Sequence, residues 1–255
     1  MINYIYLEKI DSTNNEIKRL AEGGAQEFTV VSASEQTAGR GRSGHVWQSP
    51  PGTSISTSML IYPKGIEPER LPEITILSAL SVANAVEKAY FKVAAGDVKI
   101  KWPNDVLLNQ KKLSGILTEL CFLPNKEKYV VVGIGVNVFQ KSFPADISET
   151  ATSLWIETKL EDAFSKKEII EDIWENFLAY YDLFQKTGDL SLVKEKYEKR
   201  LINIGRIVKV LDPKGEYEAK ALGIDERGRL MIEKDEKIDF IDSGEVSIRG
   251  ILGYV

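Results

Sequence analysis

Gln36-Thr-Ala-Gly-Arg40-Gly-Arg-Ser-Gly-His45-Val-Trp-Gln-Ser-Pro50-Pro-Gly-Thr-Ser-Ile-Ser-Thr-Ser58 is the stretch on which the fold turns. It sets four glycines among two arginines, a tryptophan and the single histidine of the chain. Glycine lets backbone N–H groups turn toward a ligand, and successive N–H groups form an anion nest. Arg40 and Arg42 add planar forks that match phosphate or carboxylate oxygens in pairs. Residues 28–34 upstream and 54–61 downstream read as strands, so the loop hangs between two strands of one sheet. No Gly-Lys-Ser/Thr follows, which excludes a P-loop, and no helix opens after the glycines, as a dinucleotide fingerprint requires. The loop implies a bound anion; a solvated, Arg-bearing hairpin loop with no ligand is the alternative.

The rest of the chain bounds the class. Its 255 residues suffice for one large domain or a large and a small one. Hydrophobic residues make up 43% and charged residues 28%, as in ordinary globular proteins, and the net charge of −5 argues against general DNA binding. One Cys and one His exclude an internal disulfide and a Cys/His zinc site. There is no signal-peptide pattern and no apolar run of the roughly 20 residues a membrane span needs, so the expected location is cytoplasmic, with no membrane partner.

Outward from the loop, residues 3–7 read as a short strand. Thr13 and Glu16 spell a capping box that opens a helix over 14–21, ended by Gly23-Gly24. That helix start, with Ser12 and Thr13, can cap or can bind a polar ligand head. Residues 71–91 form a core helix. Val98-Lys-Ile-Lys-Trp-Pro-Asn-Asp105 is a strand whose pairing ends at Pro103, leaving Lys101, Asn104 and Asp105 at its end. Residues 106–120 read as a hairpin with its tip at 109–111, and Lys112 starts the returning strand, either as a solvated turn charge or as a functional cation. Residues 129–138 are too apolar for a wet face and make a central strand. In it Gly133 and Gly135 permit close approach, and the polar Asn137 needs a partner. Residues 140–150 read as a mobile loop, and helices are expected over 166–186 and 189–201. After residue 203 short strands alternate with Asp/Gly turns, which gives a small SH3-like β-barrel after an α+β domain.

In this order the motifs resemble the biotin–protein ligases over nearly the whole chain. Those motifs are Ser12-Thr-Asn14, Gln36, Gly39-Arg-Gly-Arg42 with Trp47 and Ser49-Pro50, Lys101-Trp-Pro-Asn-Asp105, Lys112-Leu-Ser-Gly115, Gly133-Ile-Gly-Val-Asn137 and Gly244-Glu245-Val-Ser-Ile-Arg249. The resemblance implies a mixed sheet flanked by helices, class II synthetase-like, over 1–202 and an SH3-like β domain over 203–255. It implies activation of biotin by ATP to biotinyl-5′-AMP, then transfer to a lysine of a biotin carboxyl carrier domain, with Mg²⁺ and a homodimeric enzyme.

By the same resemblance Ser12, Thr13, Asn14, Gln36, Gly39, Arg40, Gly41, Arg42, Lys112 and Gly115 hold biotin. Arg40, Arg42, Trp47, Lys101, Asn104 and Asn137 hold the nucleotide. Lys112 is the principal catalytic cation, with Arg42, Lys101 and Asp105 beside it, and Asp105 is the candidate Mg²⁺ ligand or proton acceptor. Ser43, His45 and Val46 stand where relatives carry more basic residues. No helix-turn-helix precedes residue 1, so repressor function and a DNA partner are not expected. The alternatives are a lipoate ligase or octanoyltransferase of the same superfamily and a biotin sensor without turnover.

Overall fold

The computed structural model describes residues 1–47, 49–63, 67–212, 215–243 and 247–250. In chain order, β1 (Asn3–Ile10), α1 (Thr13–Glu22), β2 (Thr29–Gln36), β3 (Ser54–Ile61) and α2 (Leu71–Tyr90) come first. β4 (Val98–Lys101), β5 (Asp105–Leu108), β6 (Lys111–Phe122) and β7 (Lys128–Asn137) follow, then α3 (Leu154–Thr158), α4 (Lys166–Thr187) and α5 (Lys194–Glu198). The chain closes with β8 (Ile207–Leu211), β9 (Tyr217–Ile224), β10 (Leu230–Lys234), β11 (Lys237–Ile241) and β12 (Ser247–Gly250).

The first seven strands form one sheet in the order β1-β2-β3-β7-β6-β5-β4. β1 and β2 are parallel, joined through α1, and the remaining pairs are antiparallel. β7 lies in the middle, as its unbroken apolar run requires, and every residue after Lys128 in it is buried. Alternation divides the strands between two faces. Val30, Met59, Val132 and Val106 join the large core under α2 and α4. Val31, Leu60 and Val131 pack on the opposite face beneath Ile17 and Ala21 of α1. The face of α4 that carries Ile169, Ile173, Trp174, Phe177, Tyr181 and Phe184 is buried. Each such side chain contributes about 1.5–3 kcal/mol relative to exposure.

On the α1 face one line of paired residues crosses all strands of the sheet: Leu7, Ala33, Ser56, Gly135, Gly115, Asp105 and Lys101. Side chains shrink to hydrogen in the middle of this line and become charged at its far end. That gradient makes a cleft. The second sheet, β11-β10-β9-β8-β12, is antiparallel and belongs to the SH3-like domain. Trp102, 2% exposed, ties it to the first sheet: its Nε1 donates to Gly228 O (2.8 Å), and its backbone N donates to Asn203 Oδ1 (2.9 Å).

The α+β architecture with a separate C-terminal antiparallel sheet agrees with the expectation, and three local readings do not. The capping box is absent: Ser12 is the N-cap, Thr13 is already helical and no side chain caps the helix. Both the N–H and the hydroxyl of Thr13 instead donate to Gln36 Oε1. The helix expected over 189–201 is reduced to α5, because Leu190 N pairs with Glu226 O and Ser191 N with Asp189 Oδ1. α3 was not foreseen; Ser153 caps it by accepting from Ile156 N. The hairpin tip is Asn109-Gln110, both with positive φ (50° and 68°), and Lys111 already pairs with Leu108. Residues 244–246 of the closing motif, and with them its Gly244-Glu245, lie outside the described residues.

Candidate active site

The cleft encloses about 340 Å³ between the sheet, the start of α1 and the glycine loop. Its floor is where β7 carries no side chains. A Cβ on Gly133 would overlap the Asn14 carboxamide, and one on Gly135 would overlap the Trp47 indole. Asn14 and Trp47 therefore sit directly on the sheet backbone. A Cβ on Gly115 would come within 3.3 Å of the same indole. The loop holds its own shape. Trp47 N donates to Gly39 O (3.1 Å), Gly41 N donates to His45 O (2.7 Å), and Arg40 pairs with Val46 as an isolated bridge. Gly39 is required because a side chain there would run into the Trp47 carbonyl and, at 3.0 Å, Gln36 Nε2.

One end of the cleft is neutral and knitted together. Gln36 Oε1 accepts from Thr13 N (2.8 Å) and Thr13 Oγ1 (3.0 Å), and Gln36 Nε2 donates to Ser56 Oγ (3.3 Å). Ser58 Oγ lies 2.7 Å from Thr13 Oγ1 and donates to Asn14 Oδ1 at 2.6 Å. Ser12, Thr13 and Asn14 are all nearly buried. The Trp47 Nε1 donor is buried and has no partner among the described residues. An unpaired donor of that kind costs about 1–3 kcal/mol, which an acceptor on a ligand would relieve.

The other end is charged. Lys112 Nζ is 2.8 Å from Asp105 Oδ1, the lysine about one-third exposed. Its backbone is held by Thr150 O and Thr152 N at 2.7 and 2.9 Å. Asn104 Nδ2 donates to Asp105 Oδ1 (3.0 Å) and Ile116 O (3.3 Å), while Asn104 Oδ1 accepts from Arg42 Nη1 (2.6 Å). The second arm of Arg42 donates to Ser243 O, so one guanidinium joins the loop, the sheet and the SH3-like domain. Burial pushes the pKa of Arg42 down and nearby Asp105 opposes that. Lys101, 9% exposed, pairs in register with Asp105. Among the described lining residues four are Lys or Arg and one, Asp105, is a carboxylate. Such a surface favours an anion that brings several negative charges.

The arrangement can position two anions against each other and stabilise charge as it develops, without a protein nucleophile. All the sequence-derived site residues line this cavity except Gly39, which shapes the loop, and Asn137. Asn137 lies outside the lining: its amide donates to Thr152 O (3.0 Å) and its oxygen accepts from Gln140 Nε2 (3.0 Å). Asp105 fits a metal poorly. Its Oδ1 already accepts from Lys112 and Asn104, and no cluster of three His, Cys, Asp or Glu exists among the described residues.

Sequence reading missed three contributors: Ser58, the 150–152 segment behind Lys112, and Glu119. Glu119 stands on the same β6 face as Gly115 and Leu117, so strand alternation was the available signal. Its Oε2 accepts from Asn14 Nδ2 at 2.7 Å and its Oε1 from Lys18 Nζ at 2.8 Å. Arg40 Nη2 approaches at 3.5 Å and also donates to Asn15 Oδ1 (2.7 Å). Burial raises the Glu119 pKa, but the hydrogen bonds from Lys18 and Asn14 outweigh it, so the net shift is downward.

A family model described as the biotin/lipoate A/B protein ligase family matches residues 6–137, and one described as the biotin protein ligase C terminal domain matches 204–249. The biotin protein ligase from Aquifex aeolicus, solved in complex with biotin and ATP, superposes with a TM-score of 0.83 at 34% identity, covering 98% of this chain and 100% of that one. The chain belongs to the biotin protein ligase family. Among its relatives the bifunctional ligase/repressor BirA of Bacillus spizizenii is 35% identical over 96% of this chain and 73% of that protein. The biotin–[acetyl-CoA-carboxylase] ligase of Paracoccus denitrificans is 29% identical over 96% of this chain and all of that one.

Proposed function

We propose that this chain activates biotin with ATP and transfers it to a lysine of a biotin carboxyl carrier domain. The observation that carries the reading is the two-ended cleft. A neutral hydrogen-bonding end suits the ureido ring, and a cationic end built on Lys101, Asn104, Asp105 and Lys112 suits phosphates. In the first step a biotin carboxylate oxygen attacks the α-phosphorus, the bond to the β-phosphate breaks and pyrophosphate leaves. Lys112, freed from Asp105 by the incoming anions, steadies the carboxylate and the charge growing on the α-phosphate. Arg40, Arg42 and Lys101 neutralise the remaining phosphate charge. Asn104 positions the nucleotide, and Trp47 packs against both ligands from its seat on Gly115 and Gly135.

In the second step the acceptor amine attacks the acyl carbon, the bond to AMP breaks, and Asp105 takes the amine proton. Holding both reactants in place supplies much of the rate. Mg²⁺ would be held mainly by the ATP phosphate oxygens rather than by Asp105, and there would offset part of their charge. The carrier acceptor and a homodimer rest on the resemblance to the ligases, and a cytoplasmic location rests on the sequence pattern alone. No described helix is long and apolar enough to cross a membrane. The test is labelling of a carrier domain with ATP and either biotin or lipoate. Labelling with biotin alone supports the reading, and labelling with lipoate alone overturns it in favour of the lipoate branch.

A further inference from the structure

Glu119 does not line the cleft, yet it grips an element of each wall. Its carboxylate holds the Asn14 amide at 2.7 Å, and Arg40 of the glycine loop lies within ion-pair distance. Lys18, one turn along α1 from Asn14, binds the other oxygen. Asn14 has little freedom otherwise, since its oxygen accepts from Ser58 and its carboxamide sits where a Gly133 Cβ would be. A carboxylate accepting two charge-assisted or amide hydrogen bonds and facing a second cation sets direction as well as energy.

We propose that Glu119 is a positioning residue for the ring end of the cleft, fixing the Asn14 amide and Arg40 of the loop in one register, so that biotin binding and loop placement are coupled. The inference rests on the biotin reading above. It differs from a local structural role because Glu119 acts on ligand affinity through Asn14 and Arg40, while the charge of Lys18 is incidental.

The experiment compares full-length Glu119→Ala, Glu119→Gln, Lys18→Met and the Lys18→Met/Glu119→Ala double variant with the unmodified protein. KM for biotin and for ATP are measured by pyrophosphate release, and melting temperature with and without biotin. Glu119→Ala is expected to raise the biotin KM about tenfold or more, the scale of a lost charge-assisted hydrogen bond. ATP KM should rise by much less, through the longer Arg40 contact alone, and kcat at saturating biotin and the ligand-free melting temperature should stay close to the unmodified values, while the biotin-induced rise in melting temperature shrinks. Glu119→Gln, which still accepts from Asn14, should recover much of the affinity and also serves if the alanine variant folds poorly. Lys18→Met should bind biotin nearly normally, and the double variant should match Glu119→Ala. A double variant restored to normal affinity would reduce Glu119 to a counter-ion for Lys18 and overturn the proposal. So would an equal rise in both KM values, or a fall in ligand-free stability alone. An unmodified protein that releases no pyrophosphate with biotin would instead overturn the biotin reading itself.

Discussion

The two ends of the cleft are built on opposite principles. At the neutral end, Thr13, Asn14, Gln36 and Ser58 satisfy one another before any ligand arrives. At the charged end, Arg42, Lys101 and Lys112 outnumber the single carboxylate Asp105 among the described lining residues. A prearranged neutral network selects shape and loses little freedom on binding. An excess of held cations is worth most when negative charge is delivered or develops. Substitutions at the two ends should therefore separate binding of one substrate from the chemical step.

The largest effect is expected at Lys112. Lys112→Ala should slow pyrophosphate release about 10²-fold or more, the scale of one lost transition-state contact. Biotin should still bind, weakened by the lost carboxylate contact, and the melting temperature should change little, because the lysine is one-third exposed and Asp105 keeps Asn104 as a partner. Single-turnover release and a biotin titration check both; a normal rate would shift attention to Lys111.

Arg42 comes next. Arg42→Gly removes contacts to Asn104 and to Ser243 O together. A charge-assisted contact in a partly closed site contributes about 2–3 kcal/mol, so retention of biotinyl-5′-AMP should weaken about 30- to 150-fold. The variant should still make the adenylate and release it. Added albumin would then be labelled whether or not carrier is present, which a blot for biotin reads directly.

A third substitution probes the ring end. Gly133→Ala puts a methyl group into the Asn14 carboxamide. Overpacking of this kind costs about 1–3 kcal/mol, so biotin KM should rise by roughly tenfold while ATP KM holds. The smallest effect is expected at His45, which is exposed and contributes its backbone to the loop. His45→Ala should alter either KM by less than about twofold, as surface substitutions within ±0.5 kcal/mol do.

What the sequence could show follows from the distance between partners. The demand for close approach at Gly133 and Gly135 was legible because glycine in a buried strand has few other uses. What approaches them was not, since Asn14 and Trp47 arrive from α1 and from the loop. Thr13 read as a cap because Ser/Thr-x-x-Glu is a local pattern, whereas the Gln36 that claims it lies 23 residues away. Strand alternation puts Glu119 on the face of Gly115, but its partners were out of reach for the same reason: Asn14, Lys18 and Arg40 are 105, 101 and 79 residues distant. Asn137 read as polar and buried, and its partners Gln140 and Thr152 became evident only once the following loop was placed.

The division of labour between the two ends is tested most directly by pyrophosphate release from the unmodified protein with biotin and ATP before any carrier is added. The expected result is a rapid burst of about one equivalent per chain, because the adenylate forms and stays shielded, followed by sustained release only when a carrier domain is supplied. No burst with biotin, or a burst with lipoate in its place, would contradict it.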